Sequence, residues 1–324
     1  MIKGFIRNIF LYLIDITSSK KNGWFYDEFF GGSKNPLLFL MSIFNIRALR
    51  RYIDDFIFFW RRHFLKRSKI RKQLNLSIRE SDYVARMEKD GFVKLEENFG
   101  ELADLILEDY KTFFQSQPLP SNNYSSLDQG FDQTTNALKA SLNPLCIKIL
   151  TGYGLRNIFL RSCPSLVITY PNRNDIPTSE RKFFDKETLG EWSDMWHLDG
   201  VQLIQFHMLL SDVEETDPHM LYAKGSNHYN PKAYVRNIPS DDFINSNFEV
   251  LHGTGKKGDV YLFDGSRGWH RLLCSNGRKR LTFHSTFTNG LNIIAKKYPV
   301  VNLKSLDFSS ITPMQKKVLK FFKV

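Results

Sequence analysis

The chain has 324 residues, of which 42% are hydrophobic and 24% charged. That length and balance bury a full core and exclude a disordered or low-complexity protein. The net charge of +11 is unevenly placed: residues 1–75 hold fifteen Lys/Arg against five Asp/Glu, and the rest is close to neutral. Any surface for a polyanion is therefore expected only at the N-terminal end.

Within residues 1–75, Phe5, Ile6, Ile9, Phe10, Leu13 and Ile14 recur at helical spacing. A longer helical pattern follows Pro36, with Leu37 to Phe44 and then Tyr52, Ile53, Phe56, Ile57, Phe59, Trp60 and Phe64. It is interleaved with Arg47, Arg50, Arg51, Arg61, Arg62, Lys66, Arg67, Lys69, Arg71 and Lys72. An apolar face edged by aromatics and backed by basic residues is what an interfacial membrane helix requires. Each basic residue near anionic lipid is worth about 1 kcal/mol. The same pattern also fits a helical extension packed on the rest of the protein, its basic face solvated. Nucleic acid is disfavoured, because the basic residues alternate with large apolar ones instead of forming a polar, backbone-tracking face. No stretch approaches the roughly 20 apolar residues of a bilayer span. The run Ile9 to Ile14 meets Asp15 without a small-residue cleavage site, which reads against a signal peptide. Cys146, Cys163 and Cys274 are odd in number and lack CxxC spacing, as expected of reduced thiols in the cytoplasm. The expected location is cytoplasmic, peripheral at the inner face of a membrane if the N-terminal helices bind lipid.

From Ser81, a candidate N-cap, a helix is expected through Lys89 with Gly91 as its stop. Phe92 to Leu95 reads as a short strand, and Phe99 to Phe114 as a helix with Leu102, Leu105, Ile106, Tyr110 and Phe113 on one face. Ser116 to Asp132 reads as a loop, and Thr134 to Leu150 as a further helix. From Ile158 onward strands dominate: Leu166 to Tyr170, Leu203 to Leu210, Met220 to Tyr222, Val260 to Phe263 and Arg278 to Phe287. Asn172 to Ser193 and Tyr229 to Gly253 read as long excursions between them. Helices first, then many short strands without βαβ alternation, predict an α+β fold: a β-sandwich or barrel with a helical layer.

The chemistry centres on Trp196-His197-Leu198-Asp199-Gly200. Residues two apart on a strand leave the same face, so His197 and Asp199 form half of a metal site. His270 follows a β-rich segment 71 residues later and is the candidate third ligand, completing a facial triad of the non-haem Fe(II) kind. A His-x-carboxylate pair is expected about once by chance among eight histidines and 34 acidic residues, so its weight comes from this context. On the last strand Arg278, Arg280, Thr282, His284 and Thr286 share one face, and Leu281, Phe283 and Phe287 the other. A polar face with two Arg looking into a barrel calls for an anion, which a bidentate dicarboxylate satisfies; a solvated edge strand is the plainer reading. Thr169 and Tyr170 lie on the preceding strand within reach of such a ligand. Trp196 and Trp269 precede the histidines and are expected to pack on the opposite side. His284 on the polar face is a spare ligand candidate, His207 is expected to be a satisfied interior group, and His228 a structural one.

Together these pieces resemble the phytanoyl-CoA dioxygenase-like family of Fe(II)/2-oxoglutarate oxygenases. The matching segments are Lys89-Asp90-Gly91-Phe92-Val93, Trp196-His197-x-Asp199-Gly200 and Leu210-Ser211-Asp212-Val213, then Gly225-Ser226-x-His228, Gly258-Asp259-Val260 to His270, and Arg278 before Leu281. They span about 80 to 287 in the family's order. The resemblance implies a double-stranded β-helix (jelly roll, cupin-like) over residues 76–324, with residues 1–75 as an extension the family core lacks. It implies His197, Asp199 and His270 as ligands to Fe(II), with 2-oxoglutarate and O₂ as co-substrates and succinate and CO₂ as products. Arg278 falls on the position that binds the distal carboxylate of 2-oxoglutarate. The interval from His270 is shorter than usual, which leaves Arg280 as the alternative anchor. Asp199 stands where related halogenases carry a small residue, which favours hydroxylation. The N-terminal pattern points to a lipidic or lipid-linked substrate, such as a glycolipid sugar. The alternatives are a soluble oxygenase acting on a small metabolite and a metal-free jelly-roll binding protein.

Overall fold

The computed structural model describes residues 73–109, 124–127, 135–154, 158–160, 164–169, 171, 195–199, 203–228, 239–273, 277–288 and 311–319. The expected N-terminal helices lie almost wholly outside these residues, as do Tyr170, Cys163, Cys274, the whole of the first long excursion and residues 229–238 of the second. Among the described residues no helix is long and apolar enough to cross a membrane.

Helix α1 (Ile78–Asp90) starts four residues before the expected position. Ser77, not Ser81, is its N-cap: Ser77 Oγ accepts from Glu80 N–H while Glu80 reaches back to Ser77 N–H, a capping box. It ends as expected at Gly91, whose φ of 75° is left-handed. A side chain there would meet the Tyr222 hydroxyl at 2.2 Å, so the turn both needs glycine and carries the chain straight into strand β1 (Phe92–Lys94). Helix α2 (Gly100–Asp109) follows. The expected loop after it contains a strand, β2 (Tyr124–Leu127). The single helix expected over Thr134 to Leu150 is two, α3 (Thr135–Ser141) and α4 (Pro144–Gly154). Pro144 forces the break, since its ring lacks an N–H and suits only a first helical turn.

The strands that follow are β3 (Phe159–Leu160), β4 (Ser165–Thr169), β5 (Leu203–Leu209), β6 (His219–Ala223), β7 (Val250–His252), β8 (Val260–Asp264), β9 (His270–Leu273) and β10 (Arg280–Thr288). The excursion before β7 holds helix α5 (Asp241–Asn247), and α6 (Pro313–Val318) closes the described chain. The larger sheet runs β1-β8-β5-β10-β4-β2 with β3 also on β10; the smaller runs β7-β6-β9. Every pairing is antiparallel.

Alternation then sorts the side chains. On the larger sheet Phe206, Met208, Val260, Leu262, Phe283 and Phe287 face the helices and join Val84, Met87, Ile147 and Leu150 in the main core. Burial of each such side chain is worth about 1.5–3 kcal/mol, so this layer anchors the sheet. On the other face Tyr261, Phe263 and Leu209 meet Met220 and Tyr222 of the smaller sheet in a second core. Gln205 and His207 of β5 and Arg280, Thr282, His284 and Thr286 of β10 share that inner face, while Ser285 faces the helices and meets Ser141 of α3.

Candidate metal centre

Extended residues Met195 to Asp199 lie alongside β9. His197 N–H donates to His270 O at 3.0 Å, and His270 N–H returns to His197 O at 3.2 Å. Directly opposed residues of an antiparallel pair send their side chains to one side. That is how two histidines distant in sequence come to have ring centroids 4.4 Å apart. Two residues on, Asp199 N–H donates to Gly265 O at 2.7 Å, which fixes the carboxylate beside them. Asp199 Oδ1 lies 3.4 Å from His270 Nε2 and 3.9 Å from His197 Nε2. One ligand atom from each of His197, Asp199 and His270 lies within 4.8 Å of the others.

The donor set fits a divalent ion. His197 Nδ1 is 2.8 Å from Met195 O, and His270 Nδ1 is 3.0 Å from Gly268 O. A carbonyl only accepts, so each Nδ1 keeps its proton and each Nε2 turns its lone pair inward. Burial, reinforced by His270, lowers the His197 pKa to about 4, so its imidazole is neutral at pH 7, the form a metal ion requires. Burial alone would raise the Asp199 pKa, but His270, His197 and the Gln205 amide together outweigh it and hold the carboxyl below the usual carboxylate range. His270 moves the other way: burial opposes its charge, and the Asp199 carboxylate overcomes burial and raises its pKa. A metal ion binds the neutral imidazole, so the raised His270 pKa makes proton and cation competitors for its Nε2.

The backing of the site comes from the loop Asp264 to His270. Asp264 is fully buried and faces the helices. Its carboxylate accepts from the Tyr153 hydroxyl on α4, from Ser266 N–H and Arg267 N–H at 3.0 Å each, and from Arg267 Nη1 at 3.3 Å. This network holds the turn that presents Gly265 O to Asp199 and Gly268 O to His270. On the outer side Trp196 and Trp269 are buried with Leu221, Ala223 and Ile244 of α5, as alternation predicts.

On the inner face, rungs of β5 and β10 run away from the ligands. Gln205 Nε2 donates to Asp199 Oδ2 at 2.7 Å, and Thr286 Oγ1 donates to Gln205 Oε1 at 2.9 Å. The next rung is His207 opposite His284, with rings stacked at 3.6 Å and 2°. Burial pushes His207 well below its ordinary pKa and His284 down to about 3, and Arg280 adds to both effects. Arg280 is itself buried on this face, where its Nη2 donates to Thr169 Oγ1 at 3.3 Å. Arg278 precedes the strand and goes elsewhere. Its side chain is 61% exposed and pairs with Asp217 at 3.0 Å and Glu214 at 3.1 Å. Of the two arginines read from the sequence, only Arg280 enters the inner face. His228 is structural as expected, its Nε2 2.7 Å from Glu88 O. The sequence reading does not single out Gln205 or Gly265, nor the pairing of His207 with His284. The available signal was parity: Gln205 and His207 alternate with the apolar Ile204, Phe206 and Met208 on the strand that follows the ligands.

No protein-family model matches the chain, and no curated protein is similar to it in sequence. Solved structures similar to it include the non-heme α-ketoglutarate-dependent epimerase SnoN from nogalamycin biosynthesis, 13% identical over 64% of this chain and 80% of its own, with a TM-score of 0.48. The α-ketoglutarate-dependent carbocyclase SnoK from the same biosynthesis is 13% identical over 66% of this chain and 84% of its own, with a TM-score of 0.44. EctD from S. alaskensis in its apo form is 13% identical over 66% and 77%, with a TM-score of 0.47.

Proposed function

We propose that the chain is an Fe(II)- and 2-oxoglutarate-dependent oxygenase of the phytanoyl-CoA dioxygenase-like kind, its catalytic unit a jelly roll over residues 76–324. The observation that carries this is the convergence of His197, Asp199 and His270 within 4.8 Å, with both Nδ1 atoms committed to carbonyls. Two neutral imidazoles and one carboxylate on one side of an ion are the non-haem Fe(II) oxygenase ligand set, with the remaining positions open. Bound iron with 2-oxoglutarate supplies oxidation of a substrate C–H bond, with release of succinate and CO₂. The chain's own groups hold and orient: His197, Asp199 and His270 take the metal, while Arg280 and Thr169 receive the distal carboxylate of the co-substrate. A buried guanidinium suits that role because its planar fork matches a carboxylate with two parallel hydrogen bonds.

The test is succinate formation from 2-oxoglutarate with ferrous ion and O₂, for the wild type and His197→Ala. Iron-dependent succinate that the variant abolishes supports the reading; a wild type that neither binds ferrous ion nor turns over 2-oxoglutarate overturns it. The basic aromatic residues 1–75 support a narrower proposal, that the substrate is lipid-linked and met at an anionic membrane. Unchanged flotation with anionic liposomes after deletion of residues 1–75 would refute that part alone.

A further inference from the structure

We propose that Gln205, braced by Thr286, is a positioning residue that makes Asp199 a one-oxygen ligand and so keeps a coordination position open. This deepens the metal-centre reading and rests on it. An ionised carboxylate only accepts hydrogen bonds, so Gln205 must present its NH₂ to Asp199, where Nε2 lies 2.7 Å from Oδ2. Its carbonyl then faces Thr286, whose hydroxyl donates at 2.9 Å. The amide is thereby fixed in orientation from the neighbouring strand, on the rung where Gln205 and Thr286 are directly opposed.

The two oxygens of Asp199 consequently differ. Oδ2 is held by the amide and lies close over Gly265, where even a Cβ would come within 2.1 Å of it. Oδ1 is the oxygen turned toward both histidines, 3.4 Å and 3.9 Å from their Nε2 atoms. A carboxylate that also offered Oδ2 would occupy two positions on an octahedral ion. With two imidazoles it would leave room for the 2-oxo acid chelate and none for O₂. Gln205 supplies the hydrogen bond that keeps Oδ2 away, and Thr286 keeps the amide from turning over.

The experiment uses Mn(II) as the probe ion on full-length protein, counting metal-bound water by pulsed EPR in D₂O and measuring the dissociation constant by titration. The variants are Gln205→Leu, Thr286→Val and the conservative Thr286→Ser. Gln205→Leu is expected to bind Mn(II) with one fewer bound water than the wild type and to lose about 10–100-fold in succinate formation, the usual scale for an outer hydrogen bond on a ligand. Thr286→Val is expected to shift the water count the same way, and Thr286→Ser to restore it. Thr286→Val keeps shape and volume, so it reports even if Gln205→Leu fails to fold. An unchanged water count in variants that bind Mn(II) overturns the positioning role and leaves the metal centre standing. A folded wild type that holds no Mn(II) overturns both.

Discussion

Gly265→Ala isolates steric control of a ligand from every other property of the site. The backbone at Gly265 is not in the left-handed region, since the positive-φ glycines are 91, 225, 255 and 258, so alanine brings no conformational strain there. The added Cβ would stand 2.1 Å from Asp199 Oδ2, 3.0 Å from Asp199 Cγ and 3.2 Å from Gln205 Cγ. Relief by backbone movement is resisted, because Gly265 O accepts Asp199 N–H at 2.7 Å and the buried Asp264 network holds the turn. The carboxylate must instead retreat by roughly an ångström, the scale of misplacement that costs on the order of 10²-fold in catalysis. Overpacking at one position costs about 1–3 kcal/mol of stability. The expected outcome is a folded protein with its unfolding free energy lowered by that amount, Mn(II) affinity down about 10–100-fold, and succinate formation down at least as much. Isothermal titration and urea unfolding on one preparation make the measurement. Wild-type Mn(II) affinity in a folded Gly265→Ala protein would refute the geometry of Asp199 on which the site depends.

Two further outcomes are expected. Arg280→Ala should raise the KM for 2-oxoglutarate by at least about 10-fold, as loss of one or two charge-assisted hydrogen bonds of about 1.5–3 kcal/mol each requires, while Arg278→Ala should leave it within about threefold; the reverse result reassigns the anchor. In the metal-free protein, stability should fall as pH drops below about 6.5, because the unfolded chain protonates His207 and His284 near that value while the folded state holds His284 down to about 3 and His207 well below its ordinary value. Each such histidine contributes a slope of about 1.4 kcal/mol per pH unit in that window, so His284→Asn should flatten the wild-type dependence measured by urea unfolding between pH 4.5 and 7, and an identical slope in both would remove the stacked pair as its cause.

Much of the arrangement was legible from alternation alone. Once β10 was read as a strand, Phe283 and Phe287 had to face one way and Arg280, Thr282, His284 and Thr286 the other, and they do. Strand ends were less legible. Arg278 has the parity of Arg280, but the strand starts at Arg280, and before it the chain turns to meet Asp217, which accepts both Arg278 N–H at 2.6 Å and its guanidinium. Parity holds only while a residue is inside the ladder. Breaks depended on single residues: Pro144 divides the expected helix, and the reciprocal Ser77–Glu80 cap moves the start of α1 back past Ser81, which was the weaker signal because no glutamate follows it by three. Contacts such as that of Gln205 with Asp199 need the third dimension, because nothing in the spacing of the two residues says that an amide on one strand reaches a ligand beside another.

The pairing of His197 with His270 turns the metal site into a question of register. A slip by one residue along β9 would put Trp269 where His270 stands and send the imidazole to the outside, since successive side chains alternate. Neither tryptophan can make that exchange. Trp196 is buried and donates through Nε1 to Asp241 Oδ1 at 2.6 Å, with the Arg271 guanidinium 5.2 Å above its ring. Trp269 is buried beside it, against Leu221 and Ile244. Each ligand histidine is thus preceded by a large ring whose own pocket fixes the parity of its neighbour. The hydrophobic packing on the outer side selects the register, and the register brings His197, Asp199 and His270 together on the inner face.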